Sequence, residues 1–294
     1  MYKSLADAIR DAEARGIPLA QLALETESTD QGRPVAEIRD ALKRALDVMR
    51  SAVGQGMTGD LYSASGLVGG DAAKLRTGPD GPLAHTPFRD ILARALAVQE
   101  VNAAMGVIVA APTAGGAGVL PAVLTGLAEA RKIGDHAVVD ALAVAGLIGA
   151  VIAERASLSG AEGGCQAETG AAAAMAAGAA TEMLGGTPTQ VGHATALAMQ
   201  GTLGLVCDPL GGLVELPCVF RNATGAALAL AGIEMALSGI QFAIPVDEVI
   251  DVMGEIGRNM DVRYRETAGG GLAATPTGRR LARERLVQIR TAPR

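Results

Sequence analysis

The sequence predicts an all-α fold: a compact bundle of Ala- and Gly-rich helices joined by Gly-rich connecting loops. Three observations predict it. Helix start and stop signals recur along the chain, period-2 alternation of β-branched residues is scarce, and the apolar content is made of small side chains. Of 294 residues, 49% are hydrophobic and 39 are glycine, yet only six are aromatic: Tyr2, Tyr62, Phe88, Phe220, Phe242 and Tyr264. Such a core is filled by helix backbones that approach closely rather than by large rings. No βαβ alternation and no internal repeat stands out.

The elements follow in order. The opening MYKSLADAIRDAEARG is charged and amphipathic, without the apolar stretch of a secretory leader. Over residues 1–50, 17 of 50 are charged, against 16 of 150 over 101–250 and 14 of 44 over 251–294. This division predicts a charged helical N-terminal segment, 1–50, ahead of an all-α domain, 51–294. Thr86-Pro87 reads as N-cap and first helical residue, opening a helix with Phe88, Ile91, Leu92, Ala95 and Leu96 on one face. Asp135 is expected to cap an apolar helix running to about Ala156. Ser159 and Glu162 have capping-box spacing, and Thr187-Pro188 with Gln190 repeats that grammar. Between them a helix from about Gln166 to Leu184 carries Gly170, Ala174 and Gly178 four apart on one face, and Gly185-Gly186 ends it. Pro245 opens another helix toward Met260.

Composition excludes several function classes. Few aromatics and a net charge of −6 argue against nucleic-acid binding. A mean hydropathy of +0.30 raises a membrane reading, and the uncharged run Val101–Leu127 is long enough to span. Pro112, Pro121 and the glycines of 115–118 break that run, and a lipid-facing span would leave their backbone groups unpaired. The other apolar helices carry Asp140, Glu182 or Glu234. We therefore expect no membrane segment. Three cysteines, an odd number at spacings unlike a disulfide scaffold, point to a cytoplasmic protein with reduced thiols.

Those cysteines, Cys165, Cys207 and Cys218, form no C-x-x-C pair, and three buried thiols acting as small hydrophobes would satisfy the composition. Their context suggests more. Cys165 follows Gly163-Gly164, Cys207 precedes Asp208-Pro209, and Cys218 follows Pro217, so each sits at a break. Cys165 and Cys218 stand where helices begin, where free N–H groups favour a thiolate. Three thiolates suit zinc with a fourth ligand such as His136 or His193. They equally suit an iron–sulfur cluster with one iron left open as a Lewis acid. Two glycine loops, Ser63–Asp71 and Pro112–Gly118, match neither a Walker A loop nor a dinucleotide fingerprint; they are tight turns or cradles for a small carboxylate. General bases are few. His85 lies near a turn, His136 at a helix start and His193 within a helix, and Lys74 is expected in solvent.

At this point the residues resemble a known family. SASGLVGGDAAKL at 63–75, VNAAMGVIVAAPTAGGAGVLPAVL at 101–124 and SGAEGGCQAETGAAAAMAAGA at 159–179 are its motifs. GLVCDPLGGLVELPCVFRNATGAAL at 204–228 and RETAGGGLAATPTGRR at 265–280 complete the match. The sequence resembles, over essentially its whole length, the α chain of the iron–sulfur-dependent L-serine dehydratases (L-serine ammonia-lyases). EGGCQAE together with CDP…PC…RN is highly specific to this family. The resemblance implies an all-α fold around a buried cluster site, with Cys165, Cys207 and Cys218 as the three ligands of a [4Fe–4S] cluster. It implies that the fourth iron takes the hydroxyl of L-serine, that a base removes the α-proton, and that loss of water leads to pyruvate and ammonia. It makes Ser65, Gly66, Thr113, Ala114, Gly115 and Gly116 candidates for binding substrate.

Two departures shape the expectations. Single-chain members carry a preceding domain with the histidine thought to act as base; here the base is expected on a separate β subunit. Single-chain members can also carry a C-terminal cysteine that caps the open iron, and this chain reads Thr291-Ala-Pro-Arg294 there. The charged 1–50 segment becomes a candidate docking surface for the β subunit. The alternatives are a related cluster-dependent lyase acting on threonine or cysteine, and a non-enzymatic helical protein with structural cysteines.

Overall fold

The computed structural model describes residues 2–291 and is all-α. Helices α1 (Leu5–Arg15), α2 (Leu19–Gln31) and α3 (Val35–Gly56) come first, and α4 (Asp71–Thr77) follows the first glycine loop. Helices α5 (Pro87–Ala103) and α6 (Val119–Arg131) flank the second loop. The middle is α7 (Asp135–Arg155), the short α8 (Gly160–Gly163), α9 (Ala171–Met183) and α10 (Pro188–Gln200). The order closes with α11 (Cys218–Leu237), α12 (Val246–Asn259) and α13 (Pro276–Thr291). Among the described residues the only extended pairings are isolated bridges, Tyr62 with Gly69 and Cys207 with Arg265.

Local grammar explains several boundaries. Thr86 Oγ1 accepts from Arg89 N at the start of α5, with Pro87 as first helical residue. Thr187 and Gln190 form the reciprocal capping box that opens α10. Two expected caps are corrected. Ser159 accepts no capping bond, because its helix is only four residues long and Glu162 instead accepts from Ser157 Oγ at 2.7 Å. Gly134, not Asp135, is the N-cap of α7; the Asp135 carboxylate is drawn to Arg50, 2.6 and 2.9 Å away.

Helix α9 is the axis of the core. Every residue from Ala171 to Thr181 is buried, and α6, α7, α10 and α11 pack around it. Its small-residue face is what permits this. A Cβ at Gly178 would run into Ile148 of α7 and Thr195 of α10, and one at Gly170 into Thr202. Large residues on that face would push neighbouring helices apart and forfeit close-packed dispersion contacts. Helix α7 is long and apolar enough to cross a bilayer, yet 67% of that stretch is buried inside the protein. The uncharged run Val101–Leu127 is not one helix, since α5 ends at Ala103 and α6 begins at Val119.

The first helices join the same core through Leu5, Ala8, Leu19, Leu22 and Leu24. They are fastened by carboxylates that are remote in sequence. Asp247 of α12 accepts from Leu5 N at 2.8 Å and from Ser4 Oγ at 2.6 Å, closing the start of α1. Glu182 of α9 accepts from Ala20 N at 2.6 Å at the start of α2, whose N-cap is a proline that offers no side-chain acceptor. Glu100 of α5 accepts from Asp71 N at 2.6 Å and Ala72 N at 3.1 Å, capping α4 behind Gly70. Each supplies what an ordinary N-cap side chain would, satisfying orphan N–H groups and the positive end of the helix dipole. Residues Ala292–Arg294, where the family pattern directs attention to a terminal cysteine, lie outside the described residues.

Candidate active site

The three cysteines come from three separate breaks. Cys165 immediately precedes a π-helical turn, Gln166–Gly170, that runs into α9. Cys207 lies between α10 and α11, and Cys218 is the first residue of α11. All three are free thiols and buried. Main-chain and side-chain bonds knit the breaks together. Gln166 donates to Met253 O at 3.0 Å and accepts from Gly204 N at 2.9 Å, tying the Cys165 turn to α12 and to the segment leading to Cys207. Cys207 N donates to Tyr264 O at 2.8 Å, and Cys207 O accepts from Glu266 N at 2.9 Å. Arg221 of α11 reaches back over Cys207: one nitrogen donates to Val206 O at 2.8 Å, the other lies 2.8 Å from Asp208 Oδ1. Asp208 also accepts from Leu272 N at 2.6 Å, and Gly271, at φ +57°, packs so tightly on it that no Cβ would fit.

Burial dominates the electrostatics of the thiols. Burial, with the charges of Cys165 and Glu168, pushes the Cys218 thiol up to about 12. Burial pushes Cys207 well above the ordinary thiol range, reinforced by Cys165, Glu168 and Cys218. Cys165 is raised by burial, with the Thr169 hydroxyl 3.2 Å away and Arg221 opposing. The expectation that helix starts would favour thiolates is therefore reversed: desolvation outweighs the helix dipole. Three buried thiols, with Cys165 raising the pKa of both others, are a ligand set that a cationic centre would stabilise as thiolates.

The donor chemistry suits an iron–sulfur cluster. Three thiolates would hold three irons of such a cluster and leave the fourth without a protein thiolate. Among the described residues no three His, Cys, Asp or Glu side chains converge as a single metal ion requires. The histidines offered for a zinc site are engaged elsewhere. His136 is exposed at the start of α7, 3.2 Å from Asp140, and His193 accepts from Phe242 N at 3.3 Å. His85 is exposed and 3.1 Å from Asp80, in an open cleft of about 610 Å³ lined also by Arg76, Arg89 and Glu129. Lys74 is exposed and pairs with Asp71 at 2.8 Å.

The two glycine loops are held against the cysteine region by buried side chains. Ser63 Oγ donates to Glu215 Oε2 at 2.8 Å, and the Ser65 hydroxyl donates to the same oxygen. Glu215 lies between Cys207 and Cys218, so the 63–70 loop is anchored to the cysteine-bearing segment. Ser65 is buried, whereas Gly66, at φ +69°, is exposed. The second loop is pinned by Asn222 of α11, which donates to Gly115 O at 2.7 Å and Cys218 O at 2.9 Å and accepts from Gly118 N at 2.9 Å. Gln99 of α5 adds a bond to Ala114 O at 2.8 Å. Thr113 Oγ1 donates to Glu168 Oε1 at 2.6 Å, and Glu168 Oε2 lies 3.9 Å from Cys207 Sγ. The structure thus brings Thr113, Ala114, Gly115 and Gly116 to Glu168 and the cysteines, and links Ser65 and Gly66 to them through Glu215.

Sequence reasoning did not single out Gln99, Glu168, Asp208, Glu215, Arg221 or Asn222. The signal was available for some of them: Glu168 lies one helical turn after Cys165, and Asp208, Arg221 and Asn222 stand inside the motif that carries Cys207 and Cys218.

Comparison with known proteins agrees over nearly the whole chain. Residues 14–273 match the serine dehydratase alpha chain family. The probable L-serine dehydratase alpha chain of Bacillus subtilis is 45% identical over 290 residues, covering 97% of this chain and 95% of that one. The L-serine dehydratase alpha chain of Peptoniphilus asaccharolyticus is 40% identical over 288 residues, 97% and 98% of the two chains. The L-serine dehydratase of Streptomyces coelicolor is 43% identical over 272 residues, 90% of this chain but 59% of that longer protein. With this match, and with the motif cysteines gathered at one buried site, the chain belongs to the serine dehydratase alpha-chain family and, with it, to the lyases.

Proposed function

We propose that this chain is the α subunit of an L-serine dehydratase, eliminating water from L-serine to give pyruvate and ammonia. The observation that carries the reading is the burial of Cys165, Cys207 and Cys218 beside the Thr113–Gly116 loop, which Glu168 and Asn222 tie to Cys207 and Cys218. Those cysteines would hold a [4Fe–4S] cluster, which when bound supplies a Lewis acid for the departing hydroxyl. The chain's own residues hold and shape the site. Arg221 and Asp208 fix the backbone on either side of Cys207. Asn222 couples the position of Cys218 to that of the 115–118 loop, so ligand and substrate wall move together. Thr113, Ala114, Gly115 and Gly116 form the proposed substrate wall, with Gly66 at its margin. Ser65 positions that margin, because its hydroxyl is committed to Glu215.

We assign the base that takes the α-proton to a β subunit. The exposed charged faces of residues 1–50 are the proposed docking surface for that subunit, and residues 51–294 the catalytic part. A cytoplasmic setting suits reduced cysteines and an oxygen-sensitive cluster.

The test is anaerobic co-expression of the α and β chains. About four iron and four sulfide per α chain are expected, with pyruvate released from serine in preference to threonine or cysteine. A colourless, iron-free pair would sink the cluster assignment, and faster turnover of threonine or cysteine would reassign the substrate. The isolated chain should be nearly inactive; full activity alone would place the base here, with His85 the first residue to replace.

A further inference from the structure

Glu168 carries a carboxylate into the cysteine region, and the fold makes a berth for it. A Cβ on Gly115 would come 2.8 Å from Glu168 Oε2, and one on Gly160 2.7 Å from the same oxygen. A Cβ on Gly116 would come 2.8 Å from the Glu168 carbonyl oxygen. Gly115 and Gly160, from two segments, are therefore needed for this side chain to lie where it does, and Gly116 for its backbone. Thr113 orients it through Oε1, leaving Oε2 facing Cys207 at 3.9 Å.

Burial raises the Glu168 pKa, and among the described residues no cationic side chain is paired with its carboxylate. The groups that act on Glu168 are its own burial, the Thr113 and Cys207 hydrogen bonds, and the like charge of Glu266; no cationic side chain is among them. Arg221, the nearby cation, acts instead on Cys165 and Cys218 and lies against Asp208. Glu168 is nonetheless only partly buried. A carboxylate housed at such steric expense, without a resident cation, suits a cation that arrives with the ligand.

We propose that Glu168 is the anchor for the α-ammonium group of the amino-acid substrate, seating it between the Thr113 loop and Cys207. The proposal rests on the lyase reading above and deepens it. The ammonium stands on the carbon next to the one bearing the leaving hydroxyl, so anchoring it beside Cys207 directs that hydroxyl toward the cysteine-held centre. It also makes the site select α-amino acids over α-hydroxy acids, which offer no cation.

The test uses the co-expressed α–β holoenzyme, anaerobically, as wild type, Glu168→Gln and Glu168→Asp. Gln keeps the shape and the acceptor for Thr113 but removes the charge. Iron and sulfide content, KM and kcat for L-serine, and calorimetric binding of L-alanine and of glycerate are measured. L-alanine has no β-hydroxyl to lose, glycerate retains one, and only L-alanine carries an ammonium. The expected result is unchanged iron in Glu168→Gln, with KM for serine and Kd for L-alanine both raised about 100-fold. Glycerate binding should be unaltered, and Glu168→Asp should recover part of the loss. Loss of iron in Glu168→Gln, unchanged L-alanine binding, equal weakening of both probes, or a fall in kcat at constant KM would each overturn the anchor. Failure of the lyase reading itself is seen separately, in a wild-type holoenzyme that holds no iron and releases no pyruvate, and it removes the anchor as well.

Discussion

Replacing Asn222 with alanine should cost the protein about 3 kcal/mol of stability. Asn222 is fully buried and its amide is used on both sides. Its nitrogen donates to Gly115 O and Cys218 O, and its oxygen accepts from Gly118 N, with Gln99 Nε2 3.3 Å away. Alanine removes every one of these. The Cys218 carbonyl is in the first turn of α11 and keeps its helical role, so its loss weighs little. Gly118 N–H and Gly115 C=O are in a buried loop, and each orphaned group costs about 1–3 kcal/mol. Two such groups, offset by some relaxation toward Gln99, give the figure above. For a chain of this size each kcal/mol lowers the midpoint by roughly 2 °C, so thermal unfolding should begin about 6 °C lower. Asn259→Ala is the control: that side chain is exposed, bonds only Glu255 O, and should shift stability by less than about 0.5 kcal/mol. Urea titration of the three proteins gives the comparison. A loss at Asn222 below about 1 kcal/mol would refute the claim that this amide carries the loop, and with it the coupling of Cys218 to the substrate wall.

Three further expectations are tested more simply. Gly178→Val should destabilise by about 3 kcal/mol or prevent folding, because its side chain must displace Ile148 and Thr195; a variant of wild-type midpoint would mean that α9 is not closely packed. Cys207→Ala should abolish cluster absorbance while leaving the far-ultraviolet helical signal intact, and a retained brown colour would reject its role as ligand. Burial raises the Glu182 pKa above the ordinary carboxylate range, so its protonated form is favoured in the folded chain. Its contribution is then fully present below pH about 4.5 and is lost as pH rises through the raised value. Glu182→Gln, which keeps an acceptor for Ala20 N, should gain stability relative to wild type across that rise; a constant difference from pH 4 to 8 would contradict the assignment.

What could be read from sequence was what is decided locally. Thr86 and Thr187 cap as expected because donor and acceptor lie within one turn. Gly170, Ala174 and Gly178 face helices as expected because helical periodicity alone puts them on one side. Ser159 and Asp135 failed where a competing partner intervened: Glu162 turned to Ser157, and Arg50, from another helix, claimed Asp135. The cysteines announced themselves by standing at breaks, though the sign of their pKa shift did not, since burial is a tertiary property. Glu168 was hidden for the same reason. Its significance lies in glycines 53 residues before it and 8 before it meeting around its carboxylate. Asn222 and Glu215 likewise act on loops more than 100 residues away.

The remote carboxylate caps have a consequence for synthesis at the ribosome. Leu5 meets Asp247 across 242 residues, and Ala20 meets Glu182 across 162. Helices α1 and α2 leave the exit tunnel first, yet their fastenings are translated among the last two-fifths of the chain. Helix α2 can pack on α3 and α7 before its cap is made, whereas α1 waits for α10 and α12. At ordinary elongation rates that wait lasts on the order of ten seconds or more. The beginning of this protein is therefore completed by its end, and a nascent chain stopped before α12 lacks the group that fastens its own first helix.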